Sequence, residues 1–205
     1  MNPAVVLVQP PVITAYLSPD NLPSTDLEDW EEGGIALSDG SKGLEVQVWH
    51  LLVHGSGATT SVWVDAPNTP PVQIFAAANI TWARLAFDQN MHPVISFVAG
   101  AGPAFFWFDP LLPGNNITAL PSTVVKPSVT MDDKRSIQTT LGNNDVVMAY
   151  VNNGNLCYRL QRQRYVTEHV WLTNIVDIIA NPFVNKIGMS EGLRLLVEVR
   201  GAIYQ

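Results

Sequence analysis

"IQTTLGNNDVVMAYVNNGNLCYRLQ", residues 137–161, decides the fold. Its runs of β-branched and aromatic residues, punctuated by Asn and Gly, read as strand, turn, strand, glycine-containing turn, aromatic strand. Asn152, Asn153 and Gly154 supply the positive φ angles that a short hairpin turn demands. Two upstream segments have the same grammar: "VQVWHLLVHGSGATTSVWVDAP", residues 46–67, and "WARLAFDQNMHPVISFVAGAGPAFFWFDP", residues 82–110. Aligning Trp63, Trp107 and Tyr158 gives offsets of 44 and 51 residues. A period of about 40–50 residues with about four strands per unit is the signature of propeller blades.

Each unit finishes with a further strand: "VQIFAA" at 72–77, "NITAL" at 116–120 and "TEHVWL" at 167–172. The expected organisation is an N-terminal strand and loop arm over 1–43, three blade-like β units over 44–172, and a C-terminal segment over 173–205 that ends in a strand. The expected fold class is all-β, with antiparallel sheets and little helix, built as propeller-like blades or as an irregular β-sandwich. Three blades do not close a propeller, so flanking segments or neighbouring subunits must cover the open sheets.

In the arm, "VVLVQPPVITAYL" reads as a strand broken by Pro10 and Pro11. "STDLEDWEEGG" then reads as a short helical turn capped by Ser24 or Thr25, favoured by the early acids Asp26, Glu28 and Asp29 and stopped by Gly33 and Gly34. Near the other end Leu193, Leu195, Val197 and Val199 share one strand face, with Arg194, Glu198 and Arg200 on the opposite one.

The chain has 205 residues, 47% of them apolar and only 14% charged, which marks an ordered globular protein with part of its surface set aside for partners. The net charge of −7 is unevenly spread. Residues 1–100 hold ten acids and two bases, whereas residues 101–205 hold eight acids and nine bases. An acidic balance argues against a free-standing nucleic-acid binder. The single cysteine, Cys157, excludes an intrachain disulfide and reads as a small buried residue. Residues 1–20 lack a basic leader region, so no secretion signal is expected, and Val94–Phe108 is too short and too rich in Gly and Pro for a membrane span.

The chemistry-bearing residues concentrate in "CYRLQRQRY", residues 157–165. If the strand continues through it, Tyr158, Leu160, Arg162 and Arg164 share one face, and Cys157, Arg159, Gln161, Gln163 and Tyr165 share the other. Cations divided between two faces make a poor phosphate-reading stripe, although many copies in a ring would sum their charge along a channel and contact packaged DNA non-specifically. Arginine forks suit subunit contacts. The candidate interface or channel set is Arg159, Arg162 and Arg164, with the acidic run Asp26, Glu28, Asp29, Glu31 and Glu32 as partners. The bland alternative is a solvated face with local ion pairs of little energetic weight.

Other motifs point to no enzyme. His50 and His54 share a strand face but lack a third metal ligand, and "HGSGATTS" lacks the spacing of a hydrolase elbow. Asp132 and Asp133 are adjacent and point apart on a strand; no cofactor motif is present. A glycosidase would use Asp65 or Asp109, but "WVD" and "WFD" repeat like blade ends. Trp49, Trp63, Trp82 and Trp107 are candidate sugar platforms, with core packing the stronger reading.

The span from Pro127 to about Arg200 resembles a group of tailed-bacteriophage virion proteins of the tail or neck. "PSVTMDDKR", "NDVVMAYVNNGNLCYRLQRQRYVTEHVW" and "KIGMSEGLRLLVEV" carry the resemblance over a little more than a third of the chain. In that family the arginine strand often carries an acid where this chain has Gln163. The resemblance implies a non-enzymatic structural component of the virion, made in the host cytoplasm and present in many copies around the particle axis. Its implied partners are other virion proteins and further copies of itself in a ring or tube that joins head to tail or shapes the DNA-ejection conduit. A carbohydrate-binding β module at a receptor-binding tail tip is the alternative expectation.

Overall fold

The computed structural model describes residues 31–37, 46–65, 70–88, 92–109, 111, 117–132, 145–189, 195–200 and 202–204. Within them the protein is an antiparallel all-β structure. Fifteen strands form four sheets, and the described helical residues are three short 3-10 turns, Gly57–Thr59, Gln161–Gln163 and Ile175–Asp177. Sheet 1 holds β1 (Glu31–Leu37), β2 (Val46–His54), β3 (Ser61–Asp65) and β4 (Val72–Ala76). Sheet 2 holds β5 (Trp82–Phe87), β6 (Pro93–Ala99), β7 (Gly102–Phe106) and β8 (Ile117–Ala119). Sheet 3 holds β9 (Ser128–Asp132), β10 (Asp145–Asn152), β11 (Asn155–Leu160) and β12 (His169–Leu172). Sheet 4 holds β13 (Val184–Met189), β14 (Leu195–Val199) and β15 (Ala202–Tyr204).

Within every sheet each strand pairs antiparallel with its neighbour in sequence, which is the connectivity of a propeller blade. Moreover, the first strand of each sheet touches the first strand of the next: β1 meets β5, β5 meets β9, and β9 meets β13. The sheets therefore follow one another as stacked layers with their first strands side by side.

Three apolar cores fill the spaces between consecutive sheets. Leu51, Val53, Val62 and Val64 of sheet 1 pack against Ala83, Leu85, Ile95 and Phe97 of sheet 2. Val94 and Phe105 of sheet 2 pack against Val146, Met148 and Tyr150 of sheet 3. Val147, Ala149 and Val151, the alternate residues of the same strand, face Val184, Ile187, Val197 and Val199 of sheet 4. This two-sided burial explains why β10 reads as an unbroken apolar run instead of an apolar-polar alternation. Sheets 2 and 3 are also fastened through one carbonyl: Pro127 O accepts from Trp82 Nε1 and from Ser96 Oγ, each at 2.8 Å.

The hairpin that opened the sequence analysis forms as expected. Asn152 pairs with Asn155, and the two residues between them, Asn153 and Gly154, have φ of 47° and 76°. Both central angles are positive, so the turn twists with its strands. A β-carbon on Gly154 would meet Val176 Cγ1 at 2.9 Å, so the residue needs hydrogen there for space as well as for conformation. Gly154→Ala is therefore expected to destabilise the fold by about 1–2 kcal/mol, read as a lower denaturation midpoint at unchanged slope.

Three expectations shift in detail. Only the second unit contains its leading strand inside the quoted segment; in the first and third, the leading strands β1 and β9 lie upstream. Residues 31–37, placed in the arm, pair with β2 as part of sheet 1. Glu31 and Glu32, placed in a helical turn, sit on that strand opposite Leu52 and Leu51. The ladder offered by β2 outweighs the weak helical preference of a few acids before two glycines. Asp26, Glu28 and Asp29 lie outside the described residues. At the far end Val197 and Val199 face the core as the alternation required.

Candidate assembly surface at the arginine turn

Strand β11 stops at Leu160, earlier than the alternation required. Gln161–Gln163 form a 3-10 turn, and Arg164 and Tyr165 both take left-handed backbone angles, with φ of 54° and 56°. Arg162 and Arg164 consequently stand on a turn instead of sharing a strand face with Tyr158. Arg164 N donates to Gln161 O at 2.6 Å and Tyr165 N to Leu160 O at 3.0 Å, closing the reversal.

Two consecutive left-handed residues with side chains cost on the order of 1–3 kcal/mol each. What offsets that cost is visible around them. Tyr165 is 1% exposed and packs edge-on against Phe105 and Trp107, with ring centroids 4.8 and 5.2 Å away. Burying an aromatic side chain of this size contributes about 2–3 kcal/mol.

Three buried carboxylates hold the rest of the turn. Asp145, at the start of β10, accepts from the Arg162 amide at 2.9 Å and forms an ion pair with Arg162 Nε at 3.2 Å. Asp109, just beyond β7, accepts from Arg164 Nε at 3.2 Å, contacts Arg164 Nη2, and takes the Leu111 amide on its other oxygen at 2.9 Å. Asp88, just beyond β5, accepts from Gln161 Nε2 at 3.3 Å and from the His92 amide at 2.9 Å. Two of these acids belong to sheet 2 and one to sheet 3. The turn thereby bridges the two sheets.

A second polar group lies behind it. Glu168 accepts from Tyr150 OH at 2.6 Å and from Asn152 Nδ2 at 3.1 Å, and Arg159 Nη2 lies 3.5 Å away. Arg159 Nη1 also donates to the Tyr165 carbonyl at 3.3 Å. Burial alone would raise the Asp109 and Glu168 carboxyls, yet their hydrogen bonds and the facing arginines outweigh it and hold both below their ordinary ranges. Burial and the Glu168 charge push the Cys157 thiol up to about 11, so it stays protonated at neutral pH.

The sign of the pH dependence follows. A carboxyl lowered in the folded state contributes stability that is present above its unfolded pKa and lost as pH falls through the folded one. The stabilisation from Asp109 and Glu168 should therefore hold at neutral pH and disappear below their ordinary values of 3.8 and 4.5. Arg164→Ala, which removes the group that lowers Asp109, should move the acid-unfolding midpoint to higher pH in a circular-dichroism titration.

All three candidate arginines thus have carboxylate partners inside the chain, namely Glu168, Asp145 and Asp109. Glu31 and Glu32 lie on β1 of sheet 1. The side chains of Arg162 and Arg164 remain 66% and 46% exposed above acids that are 5% and 2% exposed. They present guanidinium edges outward while being fixed from beneath.

Beside them is an apolar surface the sequence did not reveal. Val72, Phe108, Leu111, Ile117, Val125, Val166, Val170, Val176 and Ile178 are the exposed large apolar residues among those described. Every one lies on a fourth strand or in a connection next to it. Next to the arginine turn in the chain Val166 is 78% exposed, and Val170 on β12 is 54% exposed. Trp82 and Trp107, considered as sugar platforms, are instead buried at 9% and 6% exposure. Among the described residues no three His, Cys, Asp or Glu side chains gather as a metal site, and no helix is long and apolar enough to cross a membrane.

Comparison with protein families, curated proteins and solved structures finds no match to this chain. The class that fold and surface define is an antiparallel all-β protein of stacked meander sheets.

Proposed function

We propose that the protein is a non-enzymatic structural subunit of a multi-subunit particle, a tail or neck component of a tailed bacteriophage. It assembles with copies of itself and with other virion proteins into a ring or tube that joins head to tail or shapes the DNA-ejection conduit. The observation that carries this reading is the set of exposed apolar residues on the fourth strands and their connections, together with two exposed arginines anchored in fixed positions. Large apolar residues exposed beside rigid polar groups suit a docking surface, and edge strands left open invite pairing. The sequence resemblance over 127–200 supplies the particle type.

Burial of Trp82 and Trp107 removes two of the four platforms on which the sugar-binding alternative rested. Asp109, one of the two acids considered for a glycosidase, is engaged by Arg164 and the Leu111 amide. The test is light scattering after size-exclusion chromatography, joined to a protein inventory of purified particles. Defined multimers and a place in the particle are expected. A lone molecule at all concentrations, absent from particles, would defeat the reading.

A further inference from the structure

We propose that an ordered water molecule is bound beneath the arginine turn, where it accepts a hydrogen bond from Tyr165 Oη and donates one to each of the Asp88 and Asp145 carboxylates. This inference does not rest on the assembly reading.

The first observation is an orphaned donor. Tyr165 is 1% exposed, and its hydroxyl oxygen is closed off from solvent with no hydrogen-bond partner among the described residues. Buried hydroxyls in folded proteins are satisfied by protein groups or by ordered water, because removing one from water without replacing its bond is costly. This hydroxyl is also held in place. Phe105 and Trp107 grip the ring edge-on with centroids 4.8 and 5.2 Å away, Tyr165 N donates to Leu160 O at 3.0 Å, and Tyr165 O accepts from Arg159 Nη1 at 3.3 Å. The ring is fixed from both sides and the backbone at both ends, so the hydroxyl cannot swing toward a partner.

The second observation is what faces it. Asp145 and Asp88 are 4% and 5% exposed, and they hold the two residues that open the same turn. Asp145 Oδ1 accepts from the Arg162 amide at 2.9 Å, and Asp88 Oδ2 accepts from Gln161 Nε2 at 3.3 Å. Burial raises the Tyr165 hydroxyl well above its ordinary range, and the charges of Asp145 and then Asp88 raise it further, so it keeps its proton at neutral pH. A protonated hydroxyl is a donor. The two charges that act on it are acceptors, one from each of two sheets, and neither is within bonding distance of it.

The third observation is chemical. Carboxylates only accept hydrogen bonds, so a group that joins Tyr165 Oη to both of them must accept one bond and donate two. Water does this, and about three bonds is the usual number for a buried water. An ammonium ion donates but cannot accept. A metal ion has nothing to donate, and among the described residues no three His, Cys, Asp or Glu side chains gather to hold one. The bound water would tie Asp88 beside sheet 2, Asp145 of sheet 3 and the turn together at one point, which gives a use for tyrosine in a slot whose other walls are aromatic rings.

A high-resolution crystal structure of the intact chain tests this, joined to water magnetic relaxation dispersion in solution. One water is expected within about 2.5–3.0 Å of Tyr165 Oη and in hydrogen-bond contact with both carboxylates. Tyr165→Phe keeps the ring and removes one of the three bonds, so the residence time of that water should fall about tenfold, the worth of one hydrogen bond. A hydroxyl bonded directly to either carboxylate would overturn the proposal, as would a dry site or an ion identified there by anomalous scattering. A residence time indifferent to Tyr165→Phe would also overturn it, because the hydroxyl would then not be a partner of the water.

Discussion

Tyr165→Ala is expected to lower stability by about 3–5 kcal/mol, the range for removing a buried aromatic side chain. The side chain is 1% exposed, sits between Phe105 and Trp107, and is the plug that holds the left-handed reversal in place. Its loss opens a cavity between sheets 2 and 3 and also removes the burial that offsets strain at Arg164 and Tyr165. Tyr165→Phe gives the contrast. The hydroxyl makes no hydrogen bond to the described residues, so the phenylalanine variant should lie within about 1 kcal/mol of the parent. Urea unfolding of the two variants measures both. Equal losses would mean that the ring's packing is not what holds the turn.

Val166→Asp combined with Val170→Asp should have the largest effect on association. Both side chains are more than half exposed, so the lone subunit should keep its unfolding midpoint to within about 0.5 kcal/mol. In a subunit contact each carboxylate would have to be desolvated without a partner, at a cost of about 2 kcal/mol or more apiece. Since about 1.4 kcal/mol is a factor of ten, assembly should weaken at least 100-fold. Sedimentation velocity over a concentration series reads the change. Undiminished multimers would place the contact elsewhere on the molecule.

Local chemistry made some of this architecture legible and tertiary contacts hid the rest. Asn153-Gly154 announces its own hairpin because the positive φ angles are written in the residue types. The fourth strands were legible too, since "VQIFAA", "NITAL" and "TEHVWL" each follow an aromatic strand at similar spacing. The arginine turn was not. "QRQRY" contains no glycine or proline to mark a reversal, and all five residues are compatible with a strand. What bends the chain there is Asp109 from 55 residues away and Asp88 from 73 residues away, together with an aromatic slot formed by another sheet. The carboxylates beneath the arginines were hidden for the same reason. The acidic run at 26–32 is the conspicuous source of carboxylates in the sequence, whereas the acids in contact are isolated residues at strand ends. An aspartate directly after an apolar strand, as in "AFD" and "WFD", is the only trace they leave.

The sequential pairing of strands also bears on how the protein is made. Each described strand finds its partner immediately before or after it in the chain, so none of the described ladders waits for a distant segment before it can close. During translation the polypeptide can mature layer by layer as it leaves the ribosome, every new meander settling on the one already formed.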